Sequence, residues 1–314
     1  MGGRMHADEA DIDEALVRRL LAAQFPRWAG LPLRRFPSAG TVNAVYRLGD
    51  DLAVRLPRIP QGVGDVAKEQ RWLPVLAPVL PVPIPAVLGS GSPGEGFPWA
   101  WSVCRWLDGD NPDAGALSGG PLSGGAAAPA AGQAAESAVD LAADLAAFVG
   151  ALREVDPAGA PDAYRGGPLA RLDTATRAAI GELDGLIDTG AATAAWEEAL
   201  SAPEWLGGPV WVHADLMPGN LLVRDGRLSG VIDWGTLGAG DPACDLIPAW
   251  NLLPPAARDV FRAELGADDA MWARGRGRAL SMALIQLPYY KDTNPAMAAN
   301  ARHVIGEVLG GPAR

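Results

Sequence analysis

Apolar positions along the chain recur with helical and strand periods in different regions. Ile12, Leu16, Leu20 and Ala23 follow a 4/4/3 spacing, which predicts an amphipathic helix over 11–25 with acids in its first turn and a stop at Pro26. Thr41 to Leu48 and Asp51 to Leu56 have strand character and flank Gly49-Asp50, a hairpin signal. Val66 to Leu76 reads as a helix carrying Lys68, Glu69 and Arg71, with Lys68 expected to point outward. Two further apolar runs, Ile84 to Leu88 and Trp99 to Leu107, are bounded by Pro and Gly and read as strands. The first third of the chain is therefore expected to form a small sheet with an embedded helix.

From Asp108 to Gln133 the sequence reduces to Gly, Ala, Ser, Pro and Asp without periodicity, the signature of a mobile linker or insertion. Leu141, Leu145, Phe148 and Leu152 then recur at 4/3/4, and Ser137 and Asp140 are spaced as a capping box, predicting a helix over 137–154. Helical patterns return at 170–188, 193–201, 255–265, 269–287 and 295–309, interrupted by one β-rich segment at 209–234. The expected division is 1–107 and 108–314, with 108–136 as a flexible linker or insertion.

Composition narrows the function classes. The 314 residues carry 26 Lys plus Arg against 37 Asp plus Glu, a net charge of −11, which lacks the positive field that nucleic-acid binding needs. No apolar run has signal-peptide or membrane-spanning character, so no membrane partner is expected. Cys104 and Cys244 lie far apart without metal-type spacing, which suits a reducing cytoplasm. Residues 101–200 hold 15 acids against 5 basic residues. Solvated helix faces account for such an excess; an acidic wall toward a cationic small molecule is the sharper reading.

One segment concentrates chemistry: P-V-W-V-H-A-D-L-M-P-G-N-L-L-V-R-D-G-R-L-S-G-V-I-D-W-G, from Pro209 to Gly235. Two apolar strands flank Asp225-Gly226, which favours a two-residue type I′ turn and would place Asn220 opposite Val231. Strand alternation then puts Asp233 on the Asn220 face. With His213 and Asp215 in the preceding loop, the segment offers an Asp, an Asn and a second Asp as oxygen ligands suited to Mg²⁺, an arrangement for phosphoryl transfer.

The pattern H-x-D-x-x-x-x-N followed by I-D-W-G resembles the catalytic segment of the aminoglycoside phosphotransferase and choline kinase family, kinase-fold enzymes that phosphorylate small molecules. The resemblance implies a two-lobed, protein-kinase-like α+β fold with a nucleotide lobe followed by a helical catalytic lobe. It implies Asp215 as the base toward an acceptor hydroxyl, His213 as a brace of its loop, and Asn220 and Asp233 as magnesium ligands. Asp241 and Asp245, in G-D-P-A-C-D-L, match positions that support the metal and catalytic loops.

Carried into the first lobe, the resemblance points to Arg55 as the phosphate-holding cation, where lysine is the common choice, with Glu69 as its helix partner. A surface arginine on an edge strand is the plain alternative for Arg55. Ser38, Gly40, Thr41 and Asn43 fall where the phosphate-covering hairpin is expected, although S-A-G-T-V-N-A-V-Y has a single glycine. Cys104, Arg105, Trp106 and Leu107 are the expected hinge to the purine of ATP or GTP. Leu287 to Pro295 reads as a polar aromatic break between helices, a plain turn or an acceptor-pocket rim. The acceptor itself is left open between an antibiotic, aminoglycoside or macrolide, and a metabolite such as an amino alcohol, sugar or amino acid. A catalytically silent nucleotide-binding module and a metal-dependent hydrolase are readings of different classes. The first would lack one of Asp215, Asn220 and Asp233, all of which are present; the second lacks a second histidine nearby.

Overall fold

A computed structural model describes residues 10–37, 42–118 and 131–310. The chain divides into two compact units, one made of Met1–Pro78, Pro83–Asp108 and Gly230–Gly235, the other of Val79–Val82, Gly109–Ser229 and Thr236–Arg314.

The first unit contains helix α1 (Glu14–Gln24), strands β1 (Leu33–Phe36), β2 (Asn43–Leu48) and β3 (Leu52–Pro57), helix α2 (Val63–Leu76), and strands β4 (Val87–Gly91) and β5 (Trp101–Arg105). Asp13 caps α1 by accepting the Leu16 N–H at 2.7 Å. The strands form one antiparallel sheet in the order β1-β2-β3-β5-β4. Strict alternation along β2 buries Ala44, Tyr46 and Leu48, which pack with Val54, Leu56 and Val103 against Val17 and Leu20 of α1. The opposite face carries Val45, Arg47, Ala53, Arg55, Ser102 and Cys104, because directly paired residues share a face. The central position of β3 rules out the edge-strand reading of Arg55.

β1 and the exact place of β4 differ from expectation. Only Leu33 of β1 is buried, and Arg34 and Arg35 follow it, so no alternation marks the strand. β4 starts after Ile84 because Pro83 and Pro85 cannot donate to a ladder.

The second unit holds α3 (Ala114–Leu117), α4 (Ala131–Arg153), α5 (Asp173–Glu182), α6 (Thr189–Ser201), β6 (Val210–Val212), β7 (Leu221–Arg224), β8 (Arg227–Val231), whose last residues belong to the first unit, β9 (Gly238–Gly240), α7 (Pro248–Asn251), α8 (Pro255–Glu264), α9 (Asp269–Tyr290) and α10 (Pro295–Leu309). α9 buries Leu280, Ala283, Leu284 and Leu287 and packs against α5, α6 and α10. α9 continues through Pro288 to Tyr290, which shortens the expected break at Leu287 to Pro295 to a turn over 291–293.

The expected linker is partly built structure. Asp110 exchanges backbone hydrogen bonds with Val223, Asp113 caps α3, and α4 begins at Ala131. Ser137 and Asp140 therefore lie inside α4 and form no capping box. Alanine is the strongest helix former, and Ala134 and Ala135 extend the helix toward its N-terminus. Residues 119–130 of that expected linker lie outside the described residues.

Candidate functional site

In the first unit, the Arg55 side chain is 13% exposed and its Nη1 donates to both Glu69 carboxylate oxygens, at 2.9 and 2.8 Å. Its Nη2 donates to Asp233 Oδ1 at 3.2 Å. Burial alone would lower the Arg55 pKa, but the carboxylates of Glu69 and Asp233 more than offset it and hold the guanidinium charged. The expected Arg55–Glu69 pair is thus present, and Asp233 joins it.

Asp233 does not sit there by strand alternation. β8 ends at Val231, and Asp233 takes a left-handed backbone with φ 61°, a costly conformation for a non-glycine residue. Trp234, fully buried, donates its Nε1–H to Val231 O at 3.0 Å and closes the turn. Lys68 corrects a further expectation: Lys68 turns inward, its ammonium donating to the Gly235 carbonyl and lying 3.6 Å from Asp65. It does so because Asp65, one turn earlier on α2, presents a carboxylate on the same helix face. The Asp65 pKa is pushed up to about 6, first by burial and then by the like charges of Glu69 and Asp233, against the pull of Lys68 and Arg55.

Of the phosphate-covering candidates, Ser38, Gly40 and Thr41 lie outside the described residues. Asn43 opens β2 opposite Pro57 and is half-buried. At the expected hinge, Cys104 is buried between β3 and β4. The Arg105 N–H is committed to Ala86 O at 2.9 Å and the Trp106 N–H to Asp51 O at 2.7 Å. The Trp106 ring meets Phe36 edge-on, with centroids 5.0 Å apart, and Arg47 lies 4.5 Å above it.

In the second unit, the loop after β6 carries His213 and Asp215. Ala214 between them has φ 63°, and its strained backbone is held in place by Asp245, fully buried. The two Asp245 oxygens accept the N–H groups of His213 and Ala214, each at 2.8 Å. Burial raises the Asp245 pKa, opposed by His213 and by these two N–H donors. His213 is itself fully buried, and its carbonyl accepts the Thr236 hydroxyl at 2.7 Å. Asn220 closes a 3₁₀ turn, Pro218–Asn220, rather than lying in β7. Its amide nitrogen donates to the Asp215 carbonyl at 2.8 Å and to Asp215 Oδ2 at 3.0 Å. Asp225 and Gly226, with φ 52° and 76°, form the two-residue turn with both positions left-handed, as expected for type I′.

Four residues without a sequence motif support this region, two at the loop itself and two at Asp241. Asn111, from the expected linker, donates its amide to Gly219 O at 3.0 Å and Leu221 O at 2.8 Å, clamping the turn that carries Asn220. Arg165 donates to Asp215 Oδ1 at 3.1 Å and Ala214 O at 3.2 Å. Arg274 and Arg278 both pair with Asp241, which burial pushes up but their hydrogen bonds and charges hold below the usual carboxylate range. Arg165 stands in D-A-Y-R-G-G-P, which carries no period or motif that marks it.

Among the described residues no cluster of three or more His, Cys, Asp or Glu is arranged to hold a metal unaided. Mg²⁺ bound through phosphate oxygens needs no such cluster, because one or two protein oxygens complete its shell. Taken each in its own unit, the two residues have the chemistry for that mode: Asp233 is a carboxylate, 39% exposed, and the Asn220 nitrogen is committed, so the amide oxygen is the atom Asn220 can offer.

The model of the phosphotransferase enzyme family (APH) matches residues 34–280, most of the chain and both units. The chain belongs to this phosphotransferase family. No curated protein matches it. Among solved structures, the GDP complex of wild-type aminoglycoside 2'-phosphotransferase-IIIa superposes with a TM-score of 0.72 at 19% identity, covering 95% of this chain and 99% of that one. The GDP and kanamycin complex of APH(2'')-IIIa gives 0.71 at 18% identity over 94% and 98% of the two chains. Macrolide 2'-phosphotransferase MphH from Brachybacterium faecium, an apoenzyme, gives 0.59 at 23% identity over 94% and 98%. At these identities the likeness is one of fold, and it establishes the kinase-like α+β architecture for this member of the family.

Proposed function

We propose that the protein transfers the γ-phosphoryl group of ATP or GTP to a hydroxyl of a small-molecule antibiotic, an aminoglycoside or a macrolide, with Mg²⁺ bound. The observation that carries this reading is the Asp215 loop: a carboxylate gripped at both oxygens, on a strained backbone held by a buried second carboxylate, within a chain of the phosphotransferase family. Such fixing of one carboxylate is what general-base chemistry requires. Asp215 takes the acceptor's hydroxyl proton as that oxygen forms its bond to the γ-phosphorus, and the bond to the β,γ-bridging oxygen breaks to release the nucleoside diphosphate. Asp233 and Asn220, each assigned on its own contacts, are the protein oxygens for Mg²⁺. When bound, the ion neutralises charge on the transferred group. Arg55, aligned by Glu69, binds the α- and β-phosphates. At the hinge, the Arg105 and Trp106 N–H groups are committed to the Ala86 and Asp51 carbonyls, so Leu107 is assigned as the N–H donor to the purine.

The acceptor class rests on the family and on what its solved members bind: kanamycin in one, while another is a macrolide phosphotransferase. The acidic excess of 101–200 adds little to it. Asp113 and Asp188 cap helices, and Asp144, Asp173, Glu197 and Glu198 pair with arginines, so these acids have local tasks. Two buried, unbridged cysteines support a reducing, cytoplasmic setting, and among the described residues no helix is long and apolar enough to cross a membrane. The test is nucleotide turnover by the purified protein across a panel of aminoglycosides, macrolides and amino alcohols. We expect phosphorylated antibiotic; selective turnover of an amino alcohol would replace the antibiotic with a metabolite.

A further inference from the structure

Arg165 stands on a piece of backbone tied down by hydrogen bonds on both sides. Ala163 N–H donates to Ala239 O at 3.0 Å, Tyr164 N–H to Thr236 O at 3.2 Å, and Ala239 N–H to Pro161 O at 2.7 Å. Asp241 N–H donates to Gly166 O at 3.0 Å. The Arg165 carbonyl accepts Arg278 Nη1 at 2.5 Å and the Cys244 thiol at 3.1 Å. The segment also lies against β9 so closely that a Cβ on Gly240 would stand 2.5 Å from the Gly166 Cα. From this anchored strip the Arg165 guanidinium reaches Asp215 Oδ1 and Ala214 O, with the exposed Tyr164 ring 5.2 Å from its central carbon.

Stability does not account for the arrangement. The Arg165 and Asp215 side chains are 30% and 23% exposed, so water still reaches both charges and the pair contributes only modestly to folding. The loop between Asp215 and Asn220, L-M-P-G, supplies no cation of its own. Asn220 holds Oδ2 and Arg165 holds Oδ1, so the two donors together fix the plane of the carboxylate. Removing either would let the carboxylate rotate about its terminal bond. A displacement of about 1 Å at a reacting group costs on the order of 100-fold in rate.

We propose that Arg165 is the positioning residue of the catalytic carboxylate, acting through Asp215 and contributing from a distant segment the cation that the catalytic loop lacks. The proposal rests on the phosphotransferase reading and adds to it a residue outside the D-x-x-x-x-N motif.

The test compares wild type, Arg165→Ala, Arg165→Lys, Asp215→Ala and the Asp215→Ala/Arg165→Ala double variant. Turnover is measured with MgATP and MgGTP, using kanamycin, a macrolide, an amino alcohol and water as acceptors. Arg165→Ala should lower kcat by about 100-fold while the nucleotide KM changes less than about threefold and Tm is nearly unchanged. Arg165→Lys should recover part of the rate, and added guanidinium should partly rescue Arg165→Ala. In the double variant the rate should match Asp215→Ala alone, because Arg165 would have no carboxylate left to position. A wild-type rate in Arg165→Ala overturns the proposal and leaves the enzyme reading standing. A rate loss that guanidinium does not rescue and that persists in full on the Asp215→Ala background also overturns it. A wild type that transfers phosphate to none of these acceptors removes the phosphotransferase reading, and the proposal with it.

Discussion

In the first unit a buried arginine lies between two carboxylates, whereas in the second a half-buried arginine reaches one carboxylate whose loop is held by backbone hydrogen bonds. Glu69 is 2% exposed and Arg55 13%, so neither charge is affordable without the other. Asp215 and Arg165 retain contact with water, and the burden of holding their loop falls on Asp245, which accepts two backbone N–H groups from full burial. The contrast separates two kinds of dependence. Changes in the Arg55 cluster should register in stability and nucleotide affinity together; changes at the Asp215 carboxylate should register in rate alone.

The largest expected effect tests the second half of that contrast. Asp215→Ala should lower kcat by about 10² to 10⁴-fold while nucleotide affinity and Tm stay close to wild type. Steady-state kinetics beside a melting curve checks it, and a large loss of Tm would place Asp215 among the structural residues. On the first unit, Arg55→Ala should destabilise the fold by about 3 to 5 kcal/mol by stranding Glu69, and should weaken nucleotide binding as well. Arg55→Lys should keep measurable activity, since an ammonium still answers both carboxylates. Chemical denaturation and nucleotide titration of the two variants decide it; a stable Arg55→Ala protein with full affinity would erase the contrast.

The local chemistry of turns and motifs was legible in the sequence, and long-range approach was not. Asp225-Gly226 announced its turn because two left-handed positions demand such residues, and the spacing from His213 to Asn220 marked the loop directly. The helix pattern put Glu69 on a helix, and its pairing with Arg55 followed from the family resemblance. Arg165 lies 50 residues from Asp215 in the chain, and Asn111 lies 110 from Leu221 within a stretch whose composition suggests no structure. Their contacts depend on how segments cross, which no local period encodes. The strand alternation assumed for Asp233 failed because the chain leaves β8 at Val231 and turns through a left-handed residue. Lys68 shares a helix face with Asp65, but the Gly235 carbonyl that fixes it comes from 167 residues away.

Two smaller effects sharpen the comparison. Saturating Mg²⁺ and nucleotide at a hundredfold excess over Kd should stabilise the wild type by about 2.7 kcal/mol, and Asp233→Asn should remove most of that. Thermal shifts with and without magnesium measure the difference, and an undiminished shift in Asp233→Asn would take Asp233 out of the metal site. The smallest effect concerns Asp65, whose folded pKa of about 6 stands above its ordinary value of 3.8. The folded protein therefore holds this proton more tightly than the unfolded chain. Its contribution is fully present below about pH 4 and is lost as pH rises toward 6. Melting curves in metal-free buffer should show that decline in wild type and a flatter one in Asp65→Asn; identical slopes would mean that Asp65 does not titrate in this range.

The central claim, that this chain moves a phosphoryl group to a small-molecule hydroxyl, is tested most directly with ATP or GTP labelled at the γ-phosphate. Purified protein, Mg²⁺ and a panel of aminoglycosides, macrolides and amino alcohols should yield label covalently attached to at least one acceptor, and chelation of Mg²⁺ should abolish the transfer. Label that stays with the nucleotide or appears only as free phosphate, with every acceptor recovered unmodified, would contradict the account.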